Sequence, residues 1–141
     1  MPKRLLRVSA GRRFRKEQRG SVLVEFAISI LLVLTVIFST IELCSAIYTY
    51  TVLADAANEG VRYAIVHSSD SGGAVSKVKT YAALSFHDMS KIGVLVTYPD
   101  GTADPPNRVA VAVTYQYVPY LSNFMANPPT MSAYAEGRLV Y

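Results

Sequence analysis

His67 and His87 are the only histidines and stand twenty residues apart. His67 adjoins Ser68, Ser69 and Asp70, but neighbours along a loop do not make a catalytic triad, which is assembled in space. No His, Cys, Asp or Glu set has metal-ligand spacing. Pro99-Asp100-Gly101 lacks the glycine pattern that cradles phosphate. An enzyme needs convergent titratable groups in a cleft, so no catalytic residue, metal, cofactor or small-molecule substrate is expected. Cys44 is the single cysteine, which excludes an internal disulfide and suits a small apolar space-filler. The residue that stands out is Glu25. It sits near the start of GSVLVEFAISILLVLTVIF, residues 20 to 38, an apolar run in which a carboxylate is costly and marks a functional position.

The surroundings of Glu25 are those of a membrane segment. Apolar residues make up 51% of the 141-residue chain, and between Phe26 and Ala54 the only charge is Glu42. A helix from Phe26 to Ser45 rises roughly 29 Å, close to the hydrocarbon thickness of a bilayer. Residues 1 to 19 hold eight Lys or Arg against Glu17 alone, leaving six basic and nine acidic groups for the rest. A basic block directly before an apolar span follows the positive-inside rule. It lacks the aromatic interleaving of a nucleic-acid surface. The expectation is a single membrane span with a cytoplasmic N-terminus and everything after about Tyr48 outside.

Cys44-Ser45-Ala46 has the form of a signal-peptide cleavage site, but the apolar core and the basic region are both too long for a secretory signal. Bulky Leu43 before Cys44 argues against a lipoprotein site. Processing before the apolar segment, at Gly20, keeps the span. Here the chain resembles a known family. RRFRKEQRG-SVLVEFAISILL is similar to the leader and start of TadE-like pseudopilins, minor pilin-like proteins of bacterial tight-adherence (Flp-type) systems. The likeness lies in the basic leader ending at Gly20, the glutamate at the fifth position after it (Glu25) and the aromatic that follows (Phe26). It continues in LADAANEGVRYA through Ala56, Ala57, Gly60 and Arg62. Many relatives have Gly-Arg where Cys44-Ser45 stands, so Glu42 lacks the basic neighbour they offer it.

The resemblance implies cleavage between Gly20 and Ser21 by a prepilin peptidase. It also implies assembly with other pilin-like subunits and an inner-membrane platform, in a pilus or a related secretion apparatus. Cleavage leaves a positive amine on Ser21, and Glu25 can pair with the amine of a neighbouring subunit, where charge pairing in low dielectric offsets the desolvation of both ions.

The elements that must present these residues follow from periodicity. One helix is expected from Ser21 to about Val66, with Tyr50, Ala54, Ala57, Val61 and Ile65 on one face. Ala54, Ala57, Gly60 and Val61 are the expected close-packing positions. Glu59 and Arg62 point away from that face and can pair. Tyr48 and Tyr50 suit the outer membrane interface. HSSDSGG signals a turn, and a second helix follows from about Ala74 to His87 through Val75, Val78, Ala82 and Phe86. Period-two runs in KIGVLVTY, RVAVAVTYQYV and MSAYAEGRLVY, divided by Pro, Gly and Asn loops, predict a three-stranded antiparallel sheet. Such a sheet needs a cover, which the two helices provide.

The expected architecture is α+β and pilin-like. It comprises a basic leader over residues 1–20, a transmembrane helix over 21–47 and an extracytoplasmic head over 48–141. The expected function is that of a minor pseudopilin. The alternatives are an uncleaved single-span protein whose head binds a ligand or partner, and a soluble domain released after Ala46.

Overall fold

The computed structural model describes residues 11–120 and 129–140, with side chains from Gly20 onward. The first ten residues of the basic leader and most of the connection between the last two expected strands lie outside the described residues. The elements run in the order α1 (Gly11–Val66), α2 (Ser71–Ala83), a 3-10 turn (Met89–Lys91), β1 (Ile92–Thr97), β2 (Arg108–Gln116) and β3 (Thr130–Arg138). The chain divides into two compact units, Met1–Ile41 and Glu42–Tyr141. The fold is α+β, as the periodicities predict.

Helix α1 is already formed at Gly11, the first described residue, well before the apolar run. Arg, Lys, Glu and Gln are good helix formers, so the leader can extend the helix without an apolar face of its own. From Gly20 to Ile41 every residue is exposed, whichever side of the helix it lies on. A helix apolar all round is made for a non-aqueous surrounding. Two of its hydroxyls, those of Thr35 and Thr40, each donate to the carbonyl four residues back (Leu31 and Val36, both 2.8 Å), so neither is left without a partner.

The second unit carries the core. The three strands pair antiparallel in the order β1-β2-β3, with Val94 opposite Val113 and Val113 opposite Ala133. Val52, Leu53, Ala56, Ala57 and Val61 of α1 pack with Val78 and Ala82 of α2 against Val111, Val113, Ala133 and Ala135 of the sheet. Tyr50 differs from expectation: it is exposed, and Val52 and Leu53 take the inward positions. The packed stripe runs through Leu53, Ala56, Ala57, Gly60, Val61 and Ala64. Ala54, expected to face inward, is half-buried on its flank.

Gly60 marks the closest approach. A Cβ there would run into Val78 of α2 and come within 3.3 Å of Val111 in β2, so the missing side chain lets three elements meet.

Helix α2 starts three residues earlier than the periodicity suggests, because Asp70 caps it by accepting from the Gly73 N–H at 2.8 Å. It ends at Ala83, and Phe86, expected on its inner face, is buried just beyond the helix and stacks on Tyr115.

Candidate functional site

The expected site begins on α1. Gly20, Ser21, Val24, Glu25 and Ile28 share one face of the helix and line a shallow hollow along it. Ser21 and Glu25 stand four residues apart, so about one helical turn sets their groups one above the other. Glu25 is exposed, and among the described residues no hydrogen bond or ion pair engages it. Phe26 is 63% exposed and begins the uninterrupted apolar run. Gly20 lies inside the helix, where a Cβ would meet nothing within 4 Å. Glycine costs a helix interior about 1 kcal/mol relative to alanine. The chain's own packing therefore gives no reason for a glycine at position 20.

Of the expected packing residues, Ala57 and Val61 are buried with Gly60 beside them, and Ala54 is half-buried. Glu59 and Arg62 form the expected exposed pair at 3.8 Å.

Glu42, the second carboxylate of the apolar stretch, has partners that its near neighbours do not reveal. Its Oε1 accepts from the Tyr117 hydroxyl at 2.6 Å and its Oε2 from the Tyr120 backbone N–H at 3.0 Å. The donors come from 75 and 78 residues further along the chain, beyond the reach of any local pattern. Tyr117 is buried, and burial together with the bond to Glu42 raises its pKa above the ordinary phenol value.

The remaining polar groups of the head are structural in their geometry. The Tyr63 hydroxyl donates to Asp70 at 2.8 Å and the His67 ring stacks on Tyr63 at 4.3 Å. Asp70 is thus committed to a helix cap and a phenol. Bonds from the Gly73 N–H and then Tyr63 hold its carboxyl below the usual range.

Asp100 closes the β1–β2 loop by accepting from the Arg108 backbone N–H and guanidinium, each at 2.8 Å. Arg108 also reaches Glu136 at 3.0 Å. The Arg108 guanidinium is the main reason that Asp100 titrates below its ordinary value. Among the described residues no three His, Cys, Asp or Glu converge as a metal site would need.

With that geometry in place, the comparison with known families is specific to α1. Residues 20–62 match the family model for TadE-like proteins. The match opens at Gly20 and closes at Arg62, so it takes in Ser21, Glu25, Glu42 and the packed stripe through Gly60. The matched residues lie within a helix, Gly20–Val66, long and apolar enough to cross a membrane. Family and helix together support a membrane location. No curated protein and no solved structure matches the chain.

Proposed function

We propose that this protein is a minor pseudopilin of a tight-adherence pilus or related secretion apparatus, cut after Gly20 by a prepilin peptidase and assembled through α1. Residues 1–20 are cytoplasmic and the head lies outside, in keeping with the basic leader. The observation that carries the reading is the exposed face holding Gly20, Ser21 and Glu25 at the start of the TadE-like match. Gly20 serves no packing need in the chain itself, whereas a peptidase that must bring backbone into its site favours a residue without a side chain.

Cleavage gives Ser21 a positive amine on the same face as Glu25. A neighbouring α1 displaced along its axis by about four residues, roughly 6 Å, brings its amine beside this carboxylate. Pairing there satisfies two charges at the membrane edge, where the neighbouring helices exclude water, and it fixes the stagger between subunits.

The intact mass of the membrane-extracted protein tests the processing. The expected product lacks residues 1–20 and begins at Ser21. A product that keeps the Arg19-Gly20-Ser21 junction overturns the reading in favour of an uncleaved single-span protein.

A further inference from the structure

The bonds between Glu42 and residues 117–120 carry an inference about where the head meets the membrane. If α1 enters hydrocarbon at Phe26, a 30 Å apolar layer ends near Ser45, and Glu42 lies about 4.5 Å short of that edge. A carboxylate at such a depth needs donors, and the head supplies two of them, from Tyr117 and Tyr120. The second is a backbone N–H. The Tyr120 backbone N–H lies 3.0 Å from this carboxylate, so the main chain at position 120 is held at the same depth along α1.

The side chains there suit it. Tyr117 is buried, while Val118 is 46% and Tyr120 79% exposed. Tyr48, nearly two turns beyond Glu42 in α1, is also exposed and lines the same open hollow as Tyr115, Tyr117, Val118 and Tyr120. Tyrosine, with an apolar ring and a polar tip, is enriched where acyl chains meet headgroups.

We propose that residues 117–120, pinned by Glu42, form a second membrane contact, which seats the Tyr120 ring beside Tyr48 in the boundary between headgroups and acyl chains. The occupant of this surface is lipid. The inference rests on α1 crossing the membrane but not on cleavage at Gly20 or on pairing by Glu25. It gives Glu42 a role different from the one proposed for Glu25: Glu42 holds the chain's own head down.

The chain contains no tryptophan, so a single introduced indole reports its own position. Tyr120→Trp keeps the backbone N–H that Glu42 accepts and replaces an exposed ring. The full chain is reconstituted in phosphatidylcholine/phosphatidylglycerol vesicles whose acyl chains are brominated either next to the headgroup or near the bilayer centre. Leu34→Trp reports the span. Tyr134→Trp reports the outer face of the sheet, where Tyr134 pairs in register with Ala112, five residues and roughly 17 Å along the strand from Tyr117.

The expected result is that Tyr120→Trp loses roughly half its emission to shallow bromine, as an interfacial aromatic should. Leu34→Trp is quenched by deep bromine and Tyr134→Trp by neither. A quenched Leu34→Trp with an unquenched Tyr120→Trp leaves the span standing and overturns the second contact. An unquenched Leu34→Trp removes the span and the inference together. A Tyr120→Trp signal that follows protein density instead of bromine means that a second copy covers the surface, which also overturns the proposal.

Discussion

The two halves of α1 belong to one helix but differ in composition and in circumstance. From Gly20 to Ile41, Val, Leu, Ile and Phe side chains point in every direction and stay exposed. From Val52 to Ala64 the inward positions are filled by Ala, Gly, Val and Leu, and they are covered by α2 and the sheet. The difference teaches where each half finds its stability. The second half buries its face inside its own chain. The first has no such partner among the described residues, so its apolar surface has to be matched by lipid or by other helices. Small residues serve close packing in the head, and large ones cover a helix that has lipid for solvent.

Truncating a side chain in each half should break that symmetry most sharply. Leu53 is fully buried, and Leu53→Ala should cost the head about 2–5 kcal/mol, the usual loss for a core leucine. Leu32, 63% exposed, should tolerate the same change with no loss of head stability. Denaturant unfolding of detergent-solubilised protein, followed by near-ultraviolet tyrosine dichroism, compares the two. Equal losses would mean that the halves are not distinct.

The two glycines give a smaller contrast. Gly60→Val should destabilise by about 1–3 kcal/mol, since the added atoms must displace Val78 and Val111. Gly20→Ala should leave the head unchanged and favour the helix by up to about 1 kcal/mol, while Gly20→Leu should block processing without preventing insertion. The first pair of variants is read by unfolding and the last by the size of the membrane-bound product.

Within the head, acid should act through Asp100. Because the folded-state pKa of Asp100 is depressed, mainly by Arg108, its contribution is present above the unfolded carboxylate value of about 4 and is lost as pH falls through the folded value. Asp100→Asn should therefore be less stable than wild type at neutral pH, and the gap should close as the solution is acidified. A gap that widens in acid would contradict the clamp. Smallest of all, Glu59→Gln should change stability by only a few tenths of a kcal/mol, because the pair with Arg62 is exposed.

Much of this arrangement was legible in the sequence because it is written in local periods. The alternation in Val109, Val111 and Val113 and the small-residue stripe through Ala57, Gly60 and Val61 both predict elements that the structure contains. Tyr50 was misplaced because aromatic and apolar residues surround that part of α1, and a three-to-four-residue step can be drawn through more than one face. The Asp70 cap could have been found, since an aspartate before Ser-Gly-Gly is an N-terminal signal. The bonds to Glu42 could not, because their donors lie far along the chain. The shared face of Gly20, Ser21 and Glu25 was legible for the opposite reason: it depends on spacing along one helix, which sequence records directly.

The central claim is that the exposed half of α1 is an assembly surface organised by Glu25. Photo-crosslinking from a reactive residue placed at Ile28, on the same face, tests it most directly. The wild-type protein should give crosslinks to a neighbouring pilin-like subunit. Glu25→Ala should still be inserted and cut at Gly20, since the run becomes more apolar. Its crosslinks should nevertheless be largely lost, because an unpaired buried amine costs about 3–5 kcal/mol. Glu25→Gln, which keeps an acceptor but not the charge, should recover only part of the signal. If Glu25→Ala is cut and crosslinks as wild type does, Glu25 organises no assembly and the account is wrong.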